Sequence, residues 1–251
     1  MQLEIQTSSF DSGFREDYKG YHIDPILLSD TKLTSPICIK LQKYNTPSCK
    51  NLMNISTLAL EMHDTILYLN SKIEKIYQRM NKIRCTGFID DLCELNYEKE
   101  IVIHIIKRYI DDLIMILYLY YANESVEKNK KIEISSIGHI MNKASITCEK
   151  IKKELNYDKH KIFLTVINDL HNAYKHSCLK HLSDTTLPAE GEAYFLLYAM
   201  NNNLNDVYYL WHNMMHIVIG FSDFLLDFFI ESSDIDRQQV LLSQKKYLHL
   251  Q

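Results

Sequence analysis

Two imidazoles, an amide and an ammonium fall within one short run, Asp169-Leu170-His171-Asn172-Ala173-Tyr174-Lys175-His176. Imidazole ordinarily titrates near pH ~6.5, so it can take or give a proton at neutral pH. Acid-base cleavage of a phosphodiester needs a base, an acid for the leaving oxygen and a cation for the charge that develops on the phosphoryl group. His176 fits the base or the acid role, His171 fits the second one, and Lys175 or Arg108 can supply fixed positive charge. At about 100° per residue, Phe163, Ile167, Leu170, Tyr174 and Cys178 share one face of a helix, which must meet a core. Thr165, Asp169, Asn172 and His176 cluster on the opposite side, with His171 and Lys175 between. From Glu149 to His181 there are seven Lys against four acids, plus four His. Positive charge concentrated in this way suits an anionic ligand such as a phosphodiester. An exposed helix face with incidental histidines produces the same spacing.

A second constellation lies upstream. His104, Lys107, Arg108 and Asp111 form one polar stripe, with Asp112 beside it, in an otherwise apolar segment. Lys107–Asp111 and Arg108–Asp112 are i, i+4 pairs of opposite charge, which on a surface contribute only a few tenths of a kcal/mol. The stripe is either a solvated face or one wall of a polar groove between two helices. His212 and His216 form a third set. A helix over 211–231 would put both imidazoles on one face, the spacing of a zinc site. Asn213 stands where a zinc hydrolase needs its Glu, and no further ligand follows at suitable spacing. No metal is expected, and a metal-dependent hydrolase at this pair is the weakest of three readings.

The run N-D-L-H-N-A-Y-K-H-S resembles the motif helix of HEPN domains, helical modules with the signature R-(polar)-x-x-x-H, many of which read N-x-x-K-H. The similarity spans residues 96–231. Asn172 matches the polar position and His176 the terminal His, while His171 occupies the Arg position. The resemblance implies a homodimer in which motif residues of two protomers meet across a cleft and cleave RNA without metal, leaving a cyclic phosphate. The family also contains inactive members that bind nucleotide or RNA, or act as protein partners. On this basis His171, Asn172 and His176 are the expected catalytic set, with Arg108, Lys175 and Asp169 supporting them or binding phosphate. Imidazole in place of guanidinium loses two fixed hydrogen bonds to phosphate. Two functions therefore stay open. One is a metal-independent endoribonuclease or toxin-like defence factor, possessing an RNA substrate and an inhibitory protein partner. The other is a non-catalytic module that binds RNA, nucleotide or protein.

The elements that must position these groups are mostly helical. Apolar residues step by three and four from Leu52 to Ile83, predicting a helix over 51–84 that Cys85-Thr86-Gly87 stops. A second, nearly all-apolar helix runs over 97–122 and belongs at the centre. Glu127–Lys131 reads as a charged loop. Ser135/Ser136 and Ser145 read as caps of two short helices ending near Lys143 and Leu155, and Asp158 as the cap of the motif helix, which extends to about His181. Aromatic-rich Ala193–Met200 and Val207–Leu210 flank the turn Asn201–Asp206, a hairpin signal. Three of the four prolines lie in the first 47 residues. The expected architecture is an all-α bundle of HEPN type over 51–231 with a small hairpin at about 193–210, an irregular N-terminal extension over 1–50, and a tail over 232–251.

Composition excludes several other classes. There are six Gly in 251 residues, and the two closest, Gly13 and Gly20, are seven apart. Neither G-x-G-x-x-G nor a Walker loop can be built, so nucleotide-dependent dehydrogenases and P-loop NTPases are excluded and no cofactor is expected. A net charge of −4 is not that of a protein coating nucleic acid along its whole surface. The six Cys show no C-x-x-C and read as reduced thiols of a cytoplasmic protein. The opening MQLEIQTSSFDSGF lacks the basic and apolar regions of a secretion signal. Charges inside the two most apolar segments, Ile101–Tyr121 and Met214–Ile230, argue against membrane spans.

Overall fold

The computed structural model describes residues 4–6, 22–24, 27–28, 31–46, 54–86, 92–176, 193–200 and 207–230. Among these, the elements run β1 (Glu4–Gln6), a 3-10 turn (Lys32–Thr34), α1 (Pro36–Gln42), α2 (Ile55–Thr86), α3 (Leu92–Tyr121), α4 (Asn123–Asn129), α5 (Ile137–Asn142), α6 (Ile146–Glu154), α7 (Tyr157–His176), β2 (Tyr194–Met200), β3 (Val207–Asn213) and α8 (Met214–Phe229). The fold is mostly helical, as the periodicity predicts.

The centre is α3. Val102, Ile103, Ile106, Ile110, Leu113, Ile114 and Leu117 are fully buried on one broad face, and buried Tyr109, Ile116, Tyr118 and Leu119 extend that face around most of the circumference, so it must be covered on several sides. It packs against α2, α4, α5, α6 and α7. In α2, Ile55, Ala59, Met62, Ile66, Leu69, Ile73, Ile76 and Met80 form a single buried stripe. Each large aliphatic side chain so buried stabilises the fold by ~1.5–3 kcal/mol. Ser136 and Ser145 cap α5 and α6 as expected, accepting from the backbone N–H groups of His139 and Cys148. Lys130 and Asn156 adopt left-handed backbone (φ 52° and 49°). Asn156 lies between α6 and α7 and redirects the chain into the motif helix, and Asn tolerates this region better than most residues. The strands β2 and β3 are antiparallel, with Tyr194 opposite Asn213 and Met200 opposite Val207. Alongside β3 runs β1, in parallel, giving the order β1-β3-β2. Phe195, Leu197 and Leu210 are buried, and β2 packs on α7.

Three expectations are corrected. The first 50 residues are not simply an irregular extension. They contribute β1 and α1, and Ile23, Leu27, Ile37 and Leu41 are fully buried in the common core. Pro36 sits in the first turn of α1, where a missing N–H costs nothing, behind the Ser35 cap. The 127–131 stretch is not wholly a loop, because α4 extends through Asn129. The last helix starts at Met214, three residues later than expected, because β3 continues to Asn213 and the Asn213 side chain then caps α8 by accepting from Met215 N–H at 2.7 Å. Expectations for Cys178, for the end of the motif helix near His181, for the 201–206 turn and for the 232–251 tail lie outside the described residues. No helix among the described residues is long and apolar enough to cross a membrane.

Candidate active site at the junction of α3 and α7

Packing of α7 on α3 brings the two polar constellations together. The His104 and His171 rings meet at 4.9 Å between centroids and nearly at right angles, and the Tyr174 ring lies 6.3 Å from His104. His104 is 38% exposed, and its Nε2 lies 3.3 Å from Glu100 Oε1, one turn earlier on the same helix. Deeper in the seam, Lys107 Nζ donates to both carboxylate oxygens of Asp111, at 2.7 and 2.5 Å. Asp111 Oδ1 also accepts from Ile137 N–H at 2.9 Å, which ties the start of α5 to α3. Burial raises the pKa of Asp111 in spite of Lys107 and this N–H. The ammonium of Lys107 is thus matched by a carboxylate and is not a spare cation for a ligand.

His171 faces into the seam. Its Nδ1 is buried with no hydrogen-bond partner among the described residues. Burial first, then the neighbouring His104 and Lys107, push its pKa down to about 4 against the pull of Asn172. A ring with that pKa is protonated in roughly one molecule per thousand at pH 7. It is therefore unsuited to donating a proton near neutrality, although it can still accept or donate a hydrogen bond as neutral imidazole. This bears against the acid role expected of His171 and leaves the base role open.

The other residues of the motif turn the opposite way. Asn172, Lys175 and His176 are exposed at the last described turn of α7. The core side is as the phase predicts, with Phe163, Ile167, Leu170 and Tyr174 buried. Asp169 is only partly outward: it is half-buried, and burial raises its pKa, opposed by a hydrogen bond from Asn168. Arg108 does not enter the seam. Its side chain is 86% exposed, with Nε 3.9 Å from Asp112. One turn of α3 therefore separates the stripe into a seam side (His104, Lys107, Asp111) and an outer side (Arg108, Asp112).

His212 and His216 do not form the i, i+4 helical pair, since His212 is in β3 and His216 is in α8. Burial pushes the His212 pKa down to about 4. No cluster of three or more His, Cys, Asp or Glu able to hold a metal occurs among the described residues. Glu100 was not singled out by the sequence. The i, i+4 spacing from Glu100 to His104 was a readable signal, but the helix that would face it was not.

Comparison of the chain with protein-family models, curated proteins and solved structures gives no match.

Proposed function

We propose that this chain is a HEPN-like, metal-independent endoribonuclease of the toxin or defence type that works as a homodimer. The supporting observation is the joint exposure of Asn172, Lys175 and His176 at the end of a helix otherwise fixed in the core. An imidazole and an ammonium on rigid backbone meet the acid-base and charge requirements of 2′-hydroxyl attack. One exposed motif imidazole per chain is half of what the reaction needs. A two-fold axis beside the end of α7 brings two His176 rings and two Lys175 ammonium groups to one cleft. Asn172 holds the phosphate or the ribose, and an inhibitory protein partner covers the same face.

The test is cleavage of single-stranded RNA in EDTA by the purified chain. The expected products end in 2′,3′-cyclic phosphate, and the protein runs as a dimer in light scattering at micromolar concentration. A strict monomer would remove the composite cleft.

A second reading rests on a separate observation. The residue in the family's Arg position, His171, is neutral and turned into the seam, so no guanidinium grips phosphate there. In this reading the protein binds RNA, nucleotide or a protein partner without cleaving. Retarded RNA mobility with intact RNA recovered would favour it.

A further inference from the structure

The central helix α3 is buried over most of its circumference, and solvent reaches its first half along one line. From Glu94 to Arg108 its exposed positions are Glu94, Tyr97, Ile101 and Arg108, with partly buried Glu100, His104 and Ile105 beside them. Steps of three, four and seven keep side chains on one side of a helix, the spacing of a seam that packs on a second helix. We propose that this line is the two-fold interface between two copies of the chain, with the α3 helices antiparallel and the axis at Ile101. The proposal rests on the homodimer of the reading above and names the surfaces that meet.

Three observations carry the assignment. First, the middle of the line is apolar. Tyr97 is 56% exposed and Ile101 36%, and partly buried Ile105 adjoins them. The neighbouring helix widens the patch: Lys72 Nζ lies 3.9 Å from Glu98 Oε1, and Tyr68, one turn earlier on α2, is half-exposed. Large apolar side chains gathered at a surface mark an interaction site. Second, the charges match under the two-fold operation. In an antiparallel pair, residues equally far before and after Ile101 face each other across the axis. Glu94 stands seven residues before Ile101 and Arg108 seven after, so each Glu94 meets the partner's Arg108, at both ends of the seam. Tyr97 and Ile105, four before and four after, meet in the same way. Glu94 has Arg79 at 2.5 Å and is still 62% exposed, and outward-facing Arg108 has Asp112 at 3.9 Å. Third, the place is the one a composite cleft requires. Ile101 is three residues, ~4.5 Å along the axis, from His104, whose ring meets His171 and Tyr174. The two-fold axis therefore passes beside the last described turns of α7.

The two kinds of contact do different work. Burial of Tyr68, Tyr97, Ile101 and Ile105 supplies attraction without direction. The charges supply the direction. A parallel pairing of the same line would set Glu94 against Glu94 and Arg108 against Arg108, and like charges placed opposite each other disfavour that arrangement. A self-complementary patch of this kind closes as a dimer and does not propagate into a chain of copies.

The experiment follows the mass of the full-length chain by sedimentation velocity at micromolar concentration, with circular dichroism as the check on folding. Wild type should be a dimer. Glu94→Lys and Arg108→Glu each set like charges opposite each other at both ends of the seam, so each alone should weaken the dimer at least ~10-fold. Mixed in equal amounts, the two variants should dimerise within about threefold of wild type, because their heterodimer has opposite charges at both ends. Arg108→Ala removes attraction without adding repulsion and should weaken the dimer less than ~5-fold. Ile101→Asp puts two carboxylates at the axis and should be monomeric. Single variants as dimeric as wild type overturn the proposal and leave a homodimer through another surface. Weakened variants that do not recover on mixing overturn it as well. A monomeric wild type overturns both the proposal and the composite cleft. A dimer that follows the charge pattern but cleaves no RNA upholds the interface and removes the ribonuclease reading.

Discussion

The two ends of α7 each carry histidine, and they are built in opposite ways. At the N-terminal end His160 is buried, with Nε2 2.8 Å from Asp227 Oδ2 on α8, and Lys159 donates to the same oxygen. Burial pushes the Asp227 carboxyl up, but the hydrogen bonds from His160 and Lys159 outweigh it and hold the group well below the usual carboxylate range. The His160 ring also meets Phe224 edge-on at 5.5 Å. That histidine is a clamp between two helices. At the C-terminal end His171 has a buried Nδ1 with no hydrogen-bond partner among the described residues, and His176 is exposed. A buried polar atom without a partner costs ~1–3 kcal/mol. Within one helix, the contrast separates a histidine that ties two helices together from two that make no such tie among the described residues.

The largest effect expected from breaking this contrast is at the clamp. Asp227→Ala removes the hydrogen-bond partner of buried His160 and should cost ~1–3 kcal/mol of stability, the range for leaving a buried polar group unsatisfied, while leaving any folded fraction competent to cleave RNA. Urea unfolding with an unchanged slope would measure it. The low carboxyl pKa also gives a sign. A depressed carboxylate contributes stability that is present above the unfolded pKa near ~4 and is lost as pH falls toward the folded value, so Asp227→Asn should flatten that acid limb.

His171→Arg is the sharper test of the other end. It places the arginine of the HEPN signature where imidazole now stands, so under the proposed reading activity should hold or rise, in line with a lowered pKa that denies His171 a proton. A fall of tenfold or more with the fold intact would give His171 a direct proton-transfer role. The fluorescence signal of a labelled RNA hairpin gives the rate.

Much of this contrast lies beyond what sequence can show. The core face of α7 was readable, because Phe163, Ile167, Leu170 and Tyr174 recur at helical spacing. So were the Ser136 and Ser145 caps. The inward turn of His171 was not, since its phase is intermediate and the deciding contact comes from α3, distant in sequence. The start of α1 was missed because Pro36 reads as punctuation both in a loop and in a first helical turn. The start of α8 was missed because apolar Trp211 and Leu210 fit a strand and a helix alike, and only the Asn213 cap decides between them. Arg108 was placed in the polar stripe correctly by spacing, yet the packing of α7 splits that stripe.

A smaller effect is expected from pH. His171 and His212 both have folded pKa values near about 4, below the ordinary imidazole value of ~6.5. The unfolded chain then binds more protons than the folded one between these limits, so stability should fall as pH drops from 6.5 toward 4. Asp111, Asp112 and Asp169, raised by burial, act in the opposite direction. His171→Gln should therefore melt with a shallower loss over that window than the wild type does. The smallest effect belongs to Arg108→Ala. Its exposed pair with Asp112 at 3.9 Å should be worth under ~0.5 kcal/mol. A large loss of RNA cleavage without loss of stability would instead place Arg108 on phosphate.

The most direct measurement is RNA cleavage in EDTA by the wild-type chain and by His176→Ala, side by side, with both proteins shown to be folded by circular dichroism. If the exposed end of α7 carries the chemistry, wild type should cleave without metal and leave 2′,3′-cyclic phosphate ends, and His176→Ala should lose at least ~100-fold, the range for a general acid or base. An activity that needs metal and survives His176→Ala would contradict that assignment, and intact RNA in both reactions would leave the binding-module reading in its place.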